Sequence, residues 1–145
     1  PADADAANAR AAEFAVSGAV IQPLLEEIRT DGEWSFLCFR GPSGRLELSH
    51  TVVKRPIADG RITVQGGTFE MLTPPDALAA QAIDIVRRAE ALTGASLLHV
   101  RVDAVLRGDT LTLMELELIE PSLFLHEEQA APMLQNYVRA LASIV

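Results

Sequence analysis

The chain has 145 residues, 49% of them hydrophobic, which suffices for one packed core. A net charge of −8 argues against nonspecific nucleic-acid binding, and no apolar run approaches the roughly 20 residues of a membrane span. The single cysteine, Cys38, excludes an internal disulfide; with no signal-peptide pattern present, the expected setting is cytoplasmic.

Pro1 to Val16 is Ala-rich and closes on Ser17-Gly18, the pattern of a helix with a glycine stop. The opening Pro-Ala-Asp-Ala-Asp, without Met, reads as the start of a fragment of a longer chain. Ala19 to Ile28 begins as a short buried strand and is interrupted by Pro23, because proline is confined to strand edges and bulges. Asp31-Gly32 is a turn, and Glu33 to Arg40 (EWSFLCFR) is a strand in which Cys38 is a small buried hydrophobe. After the turn Gly41-Pro42-Ser43-Gly44, Arg45 to Lys54 returns as the hairpin partner. Of twelve basic residues eleven are Arg and only Lys54 is Lys, which suggests a point charge that Arg would fill less well. His50, on the same strand, is placed to act as a general base, although a histidine on a half-buried strand is more often a hydrogen-bonded structural residue.

Arg61 could bind a phosphate or carboxylate, and Gly66-Gly67 would let backbone approach a ligand, though paired glycines more often form only a turn. Thr73-Pro74-Pro75-Asp76 opens a helix with Leu78, Ile83, Val86, Ala89 and Leu92 as its apolar stripe, and Gly94 ends it. Two strands follow, Leu97 to Arg107 and Leu113 to Pro121, and a final amphipathic helix runs from about Glu127 to Ile144. There is no internal repeat or second domain boundary, so residues 1–145 are expected to form one α+β unit, a mostly antiparallel sheet flanked by helices.

The strand Leu113 to Pro121 carries the chemistry. Apolar and acidic residues alternate with period 2, so Glu115 and Glu117 share a face while Met114, Leu116 and Leu118 take the other. Adjacent carboxylates raise each other's pKa unless a positive charge intervenes. The preceding strand offers Arg101-Val102-Asp103 with the same alternation, and a hairpin could gather Asp103, Glu115 and Glu117 around one point beside Arg101. Three hard oxygen ligands suit Mg²⁺, with Mn²⁺ as an alternative; the competing reading is a solvated strand face. Register decides between them. A two-residue turn at Gly108-Asp109 alone would set Asp103 opposite Met114, on the wrong face. The metal site needs the other parity. An odd loop would pair Asp103 with Leu113 and Arg101 with Glu115, and a bulge would restore the same parity.

Arg-x-Asp on one strand and Glu-x-Glu on the next resembles the C-terminal lobe of the ATP-grasp ligases, where the last position is often Asn instead of Glu117. The string Met114 to Leu125, MELELIEPSLFL, resembles the glutathione synthetase-like branch that includes the cycloserine-biosynthesis ligase, and the likeness runs from about Val20 to the end. It implies an adenine-receiving hinge at Gln22, Leu24 and Leu25, with Glu33 (in the family's Gly-Glu-x-Ser) and Met114 also on the cofactor. It places His50, Arg61, Gly66 and Gly67 at the substrate, through matches to a Ser-His-x-x-x-Lys segment and an Arg…Gly-Gly loop.

The implied activity is ATP- and Mg²⁺-dependent ligation of a small-molecule carboxylate to an amine or thiol through an acylphosphate. In that activity Arg101 and Lys54 are catalytic and Asp103, Glu115 and Glu117 hold the metal ions. No Walker or dinucleotide loop occurs, and nothing corresponds to the small lobe that grips the triphosphate, so the isolated chain is expected to be inactive. The alternative is a non-catalytic nucleotide-binding or dimerisation module, a homodimer being compatible with either reading.

Overall fold

The computed structural model describes residues 23–56, 67–125 and 131–143, with Ala11, Ala15 and Gly18 ahead of them. Of the expected N-terminal helix Ala11 and Ala15 are described, both helical, and its other residues, like the site candidates Gln22, Arg61 and Gly66, lie outside the described residues.

The elements are α1 (Glu27–Thr30), β1 (Glu33–Arg40), β2 (Leu46–Arg55), β3 (Thr68–Met71), α2 (Asp76–Thr93), β4 (His99–Arg107), β5 (Thr110–Glu117) and α3 (Ala131–Ala142). The strands form one five-stranded sheet in the order β3-β2-β1-β4-β5, and every neighbouring pair is antiparallel. This is the α+β architecture expected from the alternation of the strands.

β1 sits at the centre and its period-2 pattern divides the molecule. Trp34, Phe36 and Cys38 face α2, whose Leu78, Ala82 and Val86 close the main core with Val100, Val102 and Ala104 of β4. The Cys38 thiol is buried there, and burial pushes its pKa up to about 12, so it behaves as a hydrophobe. Glu33, Ser35, Leu37 and Phe39 face the other way, towards the segment Pro121–Leu125 and α3.

Two irregularities set which residues reach that second face. In β2 the register slips between Leu37 and Cys38, so that Leu37 pairs with His50 and Cys38 with Leu48, leaving Ser49 as the extra residue. In β4–β5 it slips between Asp103 and Ala104: Ala104 pairs with Leu113, but Asp103 pairs with Glu115, and Met114 is bulged. Gly32 is fixed by sterics. Its φ is +85°, and a Cβ there would lie 2.6 Å from the Lys54 carbonyl oxygen, so the start of β1 can close onto β2 only as glycine.

Several boundaries differ from expectation. The short strand expected ahead of Pro23 lies outside the described residues, and beyond it the chain makes the one-turn α1, where Arg107 Nε donates to Glu27 Oε1 at 2.8 Å. The acidic strand ends at Glu117 rather than Pro121, because β4, its partner, pairs no further than Arg101 opposite Glu117. Leu92 is 88% exposed, so the apolar stripe of α2 stops a turn earlier than its spacing implied. β3 is an addition: Thr68–Met71 pairs with Val52–Arg55 as an edge strand.

Candidate metal and phosphate site

Residues directly opposite each other in an antiparallel pair share a face. Glu33 lies opposite Lys54, Ser35 opposite Asp103, Asp103 opposite Glu115, and Arg101 opposite Glu117. Four strands thus deliver these side chains to one patch. The hairpin turn is the tight Gly108-Asp109 one, with Gly108 at φ 62°, and the bulge at Met114 supplies the parity change. Asp103 therefore faces Glu115 directly instead of diagonally, and Arg101 faces Glu117 instead of Glu115.

Asp103 is the hub. It is 2% exposed, its Oδ1 accepts from Ser35 Oγ at 2.6 Å and from Arg101 Nε at 3.0 Å, and its Oδ2 accepts from Arg101 Nη2 at 2.7 Å. Lys54 Nζ stands 3.5 Å from the same Oδ2 and also pairs closely with Glu33. Arg101 Nη2 in turn pairs with Glu117. Burial by itself would push the Asp103 carboxyl up, but the Arg101 hydrogen bonds, Lys54 and Ser35 outweigh it and hold the group below its ordinary range. Burial wins at Glu33, whose pKa is raised despite Lys54. For Arg101 burial disfavours the charge, yet Asp103, Glu117 and Glu33 more than compensate, and its pKa is raised.

Asp103, Glu115 and Glu117 each offer a carboxylate oxygen, and these lie within 4.8 Å of one another. An octahedral shell on Mg²⁺ spaces its oxygens about 3–4 Å apart. Glu115 is the exposed member of the three, so its carboxylate is the least constrained by packing. The charge balance also suits a cation, since Glu33, Asp103, Glu115 and Glu117 outnumber the two cations, Lys54 and Arg101, among them. The donor set is all hard oxygen, so the residues present fit Mg²⁺ or Mn²⁺.

The other candidates are placed unequally. Glu33, expected at the cofactor, belongs to the charge cluster through Lys54. Met114 is the half-buried bulged residue beside Glu115. Leu24 is 58% exposed and Leu25 half-buried, in the segment just before α1. A Cβ on Gly67 would lie 2.8 Å from the Arg55 carbonyl oxygen, so this glycine already serves close approach of the chain to β2. His50 has protein partners at both ring nitrogens: Nε2 donates to the Leu123 carbonyl at 2.9 Å, and Nδ1 lies 3.0 Å from Ser49 Oγ. Burial lowers its pKa, with the Leu123 hydrogen bond opposing, which favours the neutral ring. Ser35 was missed as a site residue; its signal was its place two residues after Glu33 on the polar face of an otherwise apolar strand.

No protein-family model and no characterised protein matches the sequence. Among solved structures, the D-cycloserine synthetase DcsG superposes with a TM-score of 0.74 at 27% identity, covering 97% of this chain and 48% of that one. The chain shares the ATP-grasp ligase fold. A D-alanine–D-alanine ligase from Bacillus anthracis, solved with ATP, also matches at a TM-score of 0.51 and 16% identity, covering 77% of this chain and 36% of that one, which speaks to fold alone. The ATP-grasp likeness thus extends over nearly the whole chain, which spans about half the length of the synthetase.

Proposed function

We propose that this chain is part of an ATP-dependent ligase that joins a small-molecule carboxylate to an amine or thiol through an acylphosphate. The observation that carries the reading is the gathering of Asp103, Glu115 and Glu117 within 4.8 Å, with Arg101 among them, on a fold shared with ATP-grasp ligases. Such a ligase needs no strong acid or base at this patch, because phosphoryl transfer is mainly positioning and charge stabilisation.

Arg101 supplies fixed positive charge towards a transferring phosphoryl group, and its pairing with Asp103 means little reorganisation is needed when charge develops. Lys54, held between Glu33 and Asp103, presents a compact ammonium for a phosphate or carboxylate oxygen. Asp103, Glu115 and Glu117 would hold Mg²⁺, which when bound neutralises phosphate charge. Gln22, Leu24 and Leu25 are assigned to the adenine hinge, Glu33 and Met114 to the cofactor, and Arg61, Gly66 and Gly67 to the substrate, on the sequence resemblance.

The test is ADP release by the protein that contains this chain, screened against amino acids and small carboxylates. Glu115→Gln should lower turnover about a hundredfold or more while leaving the fold intact, since Glu115 is exposed and Gln is its neutral isostere. Near-normal turnover in that variant would sink the assignment.

A further inference from the structure

The segment Pro121–Leu125 crosses the polar face of the sheet and makes contacts that the ligase chemistry does not use. Two consecutive carbonyls of this segment accept from two different strands. Ser122 takes a hydrogen bond from Arg101 Nη1 at 3.3 Å, and Leu123 takes one from His50 Nε2 at 2.9 Å. The next residue, Phe124, has φ 52°, a left-handed conformation that non-glycine residues adopt only at an energetic cost. Among the described residues it is the one non-glycine with positive φ. Such strain persists only where surrounding contacts over-determine it. Here they do: the Phe124 ring is buried with Leu37 and Val52, lies 5.5 Å from the Phe69 ring, and stands 5.7 Å from the Arg101 guanidinium carbon.

His50 is the anchor on the other side. A carbonyl can only accept, so Nε2 carries the proton, and Nδ1 is left as acceptor. Ser49 Oγ accepts from Asn136 Nδ2 at 3.0 Å, which frees its hydroxyl proton for His50 Nδ1. The relay Asn136–Ser49–His50–Leu123 therefore fixes the tautomer, the ring and the carbonyl together, and it begins on α3. Every described nitrogen of Arg101 is then determined: Nε and Nη2 by Asp103 and Glu117 on the sheet, and Nη1 by the segment above it.

We propose that His50 and Phe124 are positioning residues, which hold the segment 121–125 as a strap over Arg101 and so fix the direction in which its guanidinium presents charge. Only the use to which that charge is put rests on the ligase reading; the strap is defined by its contacts.

The test reads the Arg101 side-chain Nε–H in ¹⁵N spectra of the metal-free protein. His50→Phe keeps a ring but removes the donor, and should speed solvent exchange of that proton by about tenfold, the scale of one lost hydrogen bond. His50→Gln, whose amide can reach the Leu123 carbonyl, should restore the slow exchange. Phe124→Leu keeps apolar volume, and should both speed exchange and remove the ring-current shift; it serves if His50→Phe does not fold. Unchanged exchange at Arg101 in folded His50→Phe or Phe124→Leu would overturn the proposal, because a packing role alone would lower the melting temperature without touching that signal. Adding Mg²⁺·ATP to the wild type separates the two ideas. Absence of any shift at Arg101 would count against the ligase reading, while the strap stands or falls on the metal-free spectra.

Discussion

The two faces of β1 and β4 are built from alternate residues of the same strands, yet they obey opposite rules. On one, Phe36, Cys38, Val100, Val102 and Ala104 lock against α2 as an apolar core. On the other, Ser35, Arg101 and Asp103 are just as thoroughly buried, but every charge is paired. The first face gains stability from apolar area removed from water. The second spends desolvation energy to hold charges in fixed directions, and such pairs seldom add net stability. Burial alone therefore does not mark a core; here the difference lies in whether the buried atoms are apolar or are charges held in pairs.

That contrast can be broken by substitutions on either face. Phe36→Ala should cost roughly 3–5 kcal/mol in chemical denaturation, through lost transfer energy and a cavity in the α2 core, and should leave divalent-cation affinity nearly unchanged. Asp103→Ala should cost about 3 kcal/mol, because it leaves Arg101 and Lys54 without their shared partner, and should abolish cation binding as well. If both variants lost stability and neither lost cation binding, the two faces would not differ in the way described.

The pH dependence sharpens the comparison further. Asp103 has a depressed folded pKa, so its contribution is present above the ordinary aspartate range and is lost as pH falls through the depressed value. Glu33 has a raised one and acts with the opposite sign. The folded state holds its proton more tightly, so stability should fall as pH rises from the ordinary glutamate range through the raised value. Glu33→Gln should remove that slope in denaturation midpoints measured across mildly acidic pH, while keeping the loss at lower pH that Asp103 causes. An unchanged slope in Glu33→Gln would place the titration elsewhere.

Much of this was legible from alternation. β1, the hairpin return in β2, α2 with its Gly94 stop, and β4 follow from period-2 and helical patterns that local chemistry enforces. The face-sharing of Glu115 and Glu117 was equally direct, as was the need for a parity change before Asp103 could join them. Where the change occurs was not legible. The Met114 bulge carries no glycine or other local mark, and it forms because the tight Gly108-Asp109 turn and the buried pairing of Asp103 with Ser35 and Arg101 must both be met. α1 and β3 were missed for a similar reason: four-residue elements have little periodicity, and β3 forms through its pairing with β2, a contact made across the sequence. The strap was invisible because Ser122, Leu123 and Phe124 act through carbonyls and a ring, which sequence type does not announce.

The most direct measurement of the central claim is a Mn²⁺ titration followed by electron paramagnetic resonance, at fixed ATP, on the wild type and on Glu115→Gln. Glu115 is exposed, so its replacement leaves both buried networks intact and changes only the oxygen set. If the polar face is a cation site, the variant should bind Mn²⁺ about tenfold or more weakly than the wild type. Equal affinity in the two proteins would contradict the account, and would leave the three carboxylates a solvated strand face beside a structural arginine.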